Sequence, residues 1–462
     1  MLVAAACKPL TSERGFDAVA GMAGAALEKD VAIIRTAGEA DAARSKVGGL
    51  LRRPLSAEAA VQVALLNNRG LQAAYNDLGF AEATLLEASL PPNPTIAVSR
   101  LSGPVEIEIE RKIIGNILAL ATLPARAEVA RDRFRQAQLR AAEDTLRLAA
   151  ETRRNYYRAV TAREQVRFLE QANASAETAT KLARRLGETG AMNKLDQARE
   201  QVFHAELAAQ LAGAHQRASS ERERLIRSLG LWGSDPNFRL PESLPALPPG
   251  PKNWPAIESD AIAHRFDLQI MRMDAAALAK SYGLTNATRF VSLLELAGQD
   301  KNTRERETGE RIRDRGFEVE FQIPIFDFGE ARVRQAEETY MQAVNRLSEK
   351  AVNVRSEARD AYRTYRSAYD IARHYEREVL PLRKIISDET LLRYNAMLID
   401  VFALLAEARQ RIAATIAAIE AKRDFWLASA NLAAAVVGGG ASGGEGASPR
   451  IAAESSGGVA AH

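Results

Sequence analysis

The chain has 462 residues, with 62 basic and 59 acidic side chains and a formal net charge of +3. That balance lacks the electrostatic footprint of a nucleic-acid-binding protein. No run approaches the roughly 18 apolar residues of a spanning helix, so any membrane crossing falls to strands. The single cysteine, Cys7, excludes an internal disulfide and a Cys-based metal site.

Residues Leu2-Val3-Ala4-Ala5-Ala6-Cys7 read like the end of a bacterial lipoprotein signal, small residues before a cysteine that would take the lipid. The charged leader and most of the apolar core of such a signal are missing, and Ala4 stands where Leu is preferred. Cys7 is therefore a lipidation candidate, with an ordinary thiol as the alternative. Residues 1–55 are expected to be a signal remnant and an extended or partly helical lead-in.

A helix is expected from Ser56, whose hydroxyl can cap it, to Ser89, where Pro91-Pro92 stops it. Two strands follow, over 93–103 and 104–112. A very long helix runs over 124–185, breaks near 187–193 and returns to Leu229. Between Asp235 and Pro255 seven prolines predict an extended connector. The order then repeats: a helix over 257–284, strands over 289–298 and 316–326, a helix over 329–394, a break near 395–399 and a last helix ending by Val437. Residues 438–462 are Gly/Ser/Ala-rich and expected to be disordered.

The two halves, 56–234 and 256–437, carry matching words at an offset of about 200 residues, in the same order. Asn68-Arg69-Gly70-Leu71-Gln72 pairs with Arg265-Phe266-Asp267-Leu268-Gln269, and Gly190-Ala191-Met192 pairs with Asn395-Ala396-Met397. A duplicated plan follows, with 235–255 as the linker.

A helix of about 60 residues spans roughly 90 Å and must pack lengthwise against others, as in a coiled coil or helical barrel. On the helices alone, a soluble coiled-coil scaffold is the alternative. The strands point elsewhere. Val105-Glu106-Ile107-Glu108-Ile109-Glu110 and Phe317-Glu318-Val319-Glu320-Phe321 alternate strictly, apolar on one face and acidic on the other. Each strand is about ten residues long, enough to cross a bilayer when tilted. Four strands cannot close a barrel, and open edges in lipid leave backbone groups unpaired. Three copies would supply about twelve strands around a water-filled lumen. Glu106, Glu108, Glu110, Glu318 and Glu320 would then line it and favour cations over anions.

With these elements in place, the sequence resembles the TolC-like outer membrane efflux proteins. The resemblance covers about 56–437. It is carried by Ile323-Pro324-Ile325-Phe326-Asp327-Phe328-Gly329 at the strand-to-helix junction, by Ala64-Leu65-Leu66-Asn67-Asn68 with Leu71-Gln72-Ala73-Ala74, by Pro92-Asn93-Pro94, by Leu225–Gly230 and by the two helix reversals. It implies a mainly α fold with a small β part: a homotrimer whose four strands per chain close a 12-stranded barrel in the outer membrane above a long α-helical periplasmic tunnel. It implies a passive channel of a tripartite system, met at its helix-reversal tips by a periplasmic membrane-fusion adaptor that links it to an inner-membrane pump. Carried over by position, the tips are Gly190, Asn193, Leu195 and Asp196, and Ala396, Met397, Leu398 and Asp400. The second tip has Asn395-Ala396-Met397 where a glycine is expected after Tyr394; Asn395 tolerates left-handed backbone. A plain helix–helix connector is the alternative reading of both tips. The wording of 393–400 and 108–122 also resembles a branch associated with heavy-metal export, copper in particular. Asp196 and Asp400 are candidates for a ring of acids at a constriction.

No catalytic constellation, cofactor or metal site is expected. The histidines 204, 215, 264, 374 and 462 show no ligand spacing, the methionines at 192, 271, 273, 341 and 397 are dispersed, and Gly438–Gly444 lacks the lysine of a phosphate loop.

Overall fold

The computed structural model describes residues 15–233 and 237–438. Cys7 and all but the first residue of the expected tail lie outside the described residues. The element order is α1 (Phe16–Leu27), α2 (Ala37–Leu51), α3 (Ala57–Asn67), α4 (Arg69–Ser89), β1 (Thr95–Ser102), β2 (Glu106–Asn116), α5 (Ile117–Ala121), α6 (Leu123–Glu188), α7 (Lys194–Leu229), α8 (Ile257–His264), α9 (Phe266–Ala287), β3 (Leu293–Glu305), β4 (Arg311–Gln322), α10 (Glu330–His374), α11 (Leu380–Asn395) and α12 (Val401–Val437). Among the described residues no helix is long and apolar enough to cross a membrane.

The fold is set by long helices. At 66 residues, α6 extends about 100 Å. Its buried positions are dominated by alanine, among them Ala142, Ala149, Ala159, Ala172 and Ala183, so neighbouring helices can approach closely. Larger side chains fill the gaps. Tyr156, Tyr157 and Val160 pack with Val63, Leu225, Leu229 and Phe238. In the second half, Tyr365 and Tyr369 pack against Phe425, Leu268 and Val354.

The second long helix is interrupted. The segment Tyr375–Val379 is one π-helical turn between α10 and α11, where an unbroken helix is expected from the sequence. Pro381 stands two residues after its end, beyond Leu380. Proline has no N–H and its ring clashes with the carbonyl four residues back, and a wider turn just before it relieves both. Including this turn, the second long helix matches α6 in length, residue for residue.

Each shorter helix expected in front of the strands is in fact a pair, broken at Asn68 and at Arg265. Asn68 accepts a hydrogen bond from Leu71 N–H at 3.1 Å and donates to the Ser228 carbonyl at 3.0 Å, so it caps α4 while fastening it to the end of α7. Arg265, with a buried side chain, pairs with Asp267 and with Glu357 on α10, each at 2.6 Å. The two breaks fall on residues that the internal repeat aligns.

The proline-rich connector is extended but fastened. Leu55 N–H donates to the Arg239 carbonyl at 2.8 Å, Leu240 and Leu244 enter the core, and Tyr369 donates its hydroxyl hydrogen to the Pro248 carbonyl at 3.1 Å.

The four strands form one antiparallel sheet in the order β1-β2-β3-β4. β2 runs four residues beyond the expected end, to Asn116. β3 and β4 are displaced toward their shared turn, over Leu293–Glu305 and Arg311–Gln322 instead of 289–298 and 316–326. The mainly polar stretches 299–305 and 311–315 extend the pairing because backbone partners are available there, a gain that side-chain alternation does not report. At the exit of β4, Phe328 and Gly329 take left-handed backbone with φ of 47° and 73°. A Cβ on Gly329 would lie 2.3 Å from the Arg289 carbonyl oxygen, so only glycine fits this junction.

Candidate functional site

Two regions carry the sequence-predicted residues: the sheet and the two helix reversals. In the sheet, the register settles which side chains share a face. Glu108 is opposite Thr303, Glu110 opposite Lys301, Glu318 opposite Ala297 and Glu320 opposite Glu295. Following these pairs across β2, β3 and β4 brings Glu106, Glu108, Glu110, Glu318 and Glu320 onto one face. Glu295, Glu305 and Asp314 join them there.

The same face holds two bases that strand alternation alone did not disclose. Lys112 pairs with Glu110 at 3.2 Å and with Glu318 at 3.0 Å, and Lys301 pairs with Glu108 at 2.8 Å. Carboxylates still outnumber lysines. Glu106 and Glu320 make no ion pair among the described residues.

The opposite face is apolar over its half nearer the helices. Ile96, Ile113, Leu296, Phe317, Val319 and Phe321 occupy it, and all are exposed, Phe317 at 78%. Such a contiguous exposed apolar band is uncharacteristic of a surface that meets only water. β1 and β4 have one strand neighbour each, so both outer edges present unpaired backbone groups.

At the first reversal, α6 ends at Glu188 and Gly190 takes φ of 76°. The Ala191 and Met192 N–H groups donate back to the Leu186 carbonyl at 2.8 and 3.1 Å, closing the helix end. Asn193 caps α7 by accepting from Asp196 N–H at 2.9 Å. Asp196 is buried and held by Asn193 and by Arg199, at 3.2 Å. Leu195 is exposed.

At the second reversal Ala396 ends α11, and Met397, not Asn395, adopts the left-handed backbone, with φ of 58°. Asn395 remains the last helical residue because the chain turns two positions later, where the Leu398 N–H reaches the Arg393 carbonyl at 2.9 Å. Asp400 caps α12 by accepting from Ala403 N–H at 2.9 Å. Met397 and Leu398 are exposed at 92% and 73%.

The two reversals lie at the same end of the molecule, because α7 and α12 pack together just behind them. Arg409 of α12 lies 3.6 Å from Glu200 of α7, and its guanidinium sits 4.3 Å from the centre of the Phe203 ring. Sequence reasoning did not find Glu200 or Arg409, which occur among many similar residues on their helices. Asp196 and Asp400 both stand in the first turn or cap of the helix that follows, Asp196 buried and Asp400 exposed.

Among the described residues no group of three or more His, Cys, Asp or Glu side chains could hold a metal ion. The lipidation candidate Cys7 lies outside the described residues.

No protein-family model and no curated protein sequence matches the chain. Solved structures do match its fold. The CmeC outer membrane channel of Campylobacter jejuni superposes with a TM-score of 0.70 at 16% identity, over 83% of this chain and 86% of that one. The outer-membrane channel OprN gives 0.68 at 17% identity, over 91% and 96%. CusC, solved in connection with its folding and transmembrane channel formation, gives 0.68 at 17% identity, over 83% and 92%. At such identities the likeness is one of fold, and it spans nearly the full length of each partner. From its long helical hairpins to its four-stranded sheet, the chain has the fold of the TolC-like outer-membrane channels.

Proposed function

We propose that this chain is one protomer of a homotrimeric duct in the bacterial outer membrane, through which substrate delivered by an inner-membrane pump leaves the cell passively. The observation that carries the reading is the two-faced sheet with two open edges. One face is an exposed apolar band suited to lipid, and the other is mainly acidic. Unpaired edge groups in hydrocarbon cost several kcal/mol each, so β4 of one copy would pair with β1 of the next. Three copies close a wall of about twelve strands. The paired long helices then extend about 100 Å away from the membrane as a tunnel.

The reversal tips are the proposed docking surface for a periplasmic membrane-fusion adaptor, with Leu195, Met397 and Leu398 as its exposed apolar contacts and Gly190, Asn193, Asp196, Ala396 and Asp400 shaping the turns. Lipidation at Cys7 would add an anchor to the same membrane. The mainly acidic face favours cationic substrates, heavy-metal ions such as copper or cationic drugs among them. No step of such transport requires a catalytic residue or cofactor in this chain, because the partner pump supplies the energy.

A soluble coiled-coil scaffold is the competing function, and the exposed apolar face of the sheet weighs against it. Fractionation of the producing cells followed by mass determination in detergent separates the two. The duct predicts an outer-membrane protein recovered as a heat-sensitive trimer. A monomer stable in plain buffer without detergent overturns it.

A further inference from the structure

We propose that the hairpin end of the sheet's apolar face binds lipid headgroups of the outer leaflet that carry an uncompensated phosphomonoester, through a belt of arginines. The register places Arg100, Arg111, Arg304, Arg311, Arg313 and Arg315 on the face that also carries Ile113, Leu296 and Phe317. They occupy three consecutive pairing rows. Arg304 lies opposite Arg311, Arg100 and Arg313 are linked through Ile109 and Asn302, and Arg111 and Arg315 flank Asp300. These rows adjoin the two turns, and the apolar rows begin directly below them.

The segregation has a physical meaning. Arginine on the lipid face of a barrel is strongly unfavourable at the bilayer midplane and nearly free of penalty at the interface. Six arginines confined to one end of an otherwise apolar face therefore locate a headgroup layer there. Asp300 is the one acid of the belt, and it engages Arg313 and, at 3.4 Å, Arg315. Among the described residues Arg100, Arg111, Arg304 and Arg311 have no carboxylate partner, and all four are exposed. The opposite face at the same level is built differently, with Lys301 bonded to Glu108. The uncompensated positive charge thus belongs to the apolar side.

Phosphate is the anion that suits this arrangement. The guanidinium fork matches phosphate oxygens bidentately. Neighbouring strands lie about 4.8 Å apart and successive same-face residues about 6.8 Å, so two or three guanidiniums reach one phosphate group. Arg100 lies on one edge strand and Arg311, Arg313 and Arg315 on the other, so pairing between copies would join the belt into a ring. The proposal rests on the outer-membrane reading, which puts the hairpin turns outside and the helices in the periplasm.

The test compares the full-length protein with R111Q/R304Q/R311Q, and with R311Q alone as a milder variant, each purified in detergent. Native mass spectrometry reads retention of phosphatidic acid and of phosphatidylcholine, with excess inorganic phosphate as competitor. The expected result is phosphatidic acid held roughly a hundredfold more weakly by the triple variant, and several-fold more weakly by R311Q. Phosphatidylcholine retention should be the same for all. Equal retention of phosphatidic acid by trimeric wild type and trimeric variants overturns the proposal. So does full displacement by inorganic phosphate, which would mark a free-anion site. If instead the wild type proves to be a detergent-independent monomer, the duct reading itself fails and the lipid belt with it.

Discussion

Glu200 on α7 and Arg409 on α12 meet across the packed helices at 3.6 Å, with the Glu200 side chain only 2% exposed. One Glu200 carboxylate oxygen is buried with no hydrogen-bond partner. The pair sits just behind the two reversals and ties the first hairpin to the last helix.

Burial lifts the Glu200 carboxyl above the usual glutamate range, against the opposing pull of Arg409. A carboxyl raised in this way holds its proton more tightly in the folded chain than in the unfolded one. Its contribution is therefore most favourable below the ordinary value of 4.5 and is lost as the pH rises through the raised value. The variant E200Q keeps the shape and removes the ionisation. At pH 8 it is expected to unfold later than the wild type, by on the order of 1 kcal/mol. At pH 4 the two should coincide. Calorimetry at both pH values checks this, and a less stable E200Q at pH 8 would mean that the ion pair outweighs the cost of burial.

The two reversals solve one backbone problem with different residues. Gly190 meets no steric penalty at φ of 76°, whereas Met397 carries a side chain at φ of 58°. Substituting Met397→Gly should stabilise the protein by about 1 kcal/mol, and Gly190→Ala should destabilise it by about the same amount. Thermal unfolding of the two variants gives the comparison. Because Met397 is also almost fully exposed, M397G is expected to weaken capture by the adaptor even as it stabilises the fold. Tighter capture by M397G would remove Met397 from the proposed docking surface.

The acidic face of the sheet gives a prediction in planar bilayers. Glu106 and Glu320 make no ion pair among the described residues, so E106Q/E320Q breaks none of the sheet's salt bridges. The trimer should assemble normally, while its preference for potassium over chloride falls roughly threefold. An unchanged reversal potential under a salt gradient would show that this face does not line the conducting path.

Much of the fold was legible in the residue pattern. Alternation in 105–110 and 317–323 reports a surface with two chemically different sides, and long runs without proline report helices that need lengthwise partners. The breaks at Asn68 and Arg265 were not legible as breaks, because the polar atoms that make them worthwhile belong to distant elements, Ser228 in one case and Glu357 in the other. The left-handed residue of the second tip is not legible for a similar reason: local preference favours asparagine, but the closing hydrogen bond from Leu398 to Arg393 fixes the turn at Met397.

By itself, the sequence determined the mainly helical class, the duplicated order of elements and the two-sided character of the strands, since each depends on periodicities within a segment. Only the tertiary structure decided which strands pair and in what register. That register put Lys112 and Lys301 among the glutamates, gathered the arginines at one end of the apolar face, and brought Arg409 to Glu200. Those juxtapositions join residues far apart in the chain, and their energies come from shared burial and pairing that no local pattern encodes.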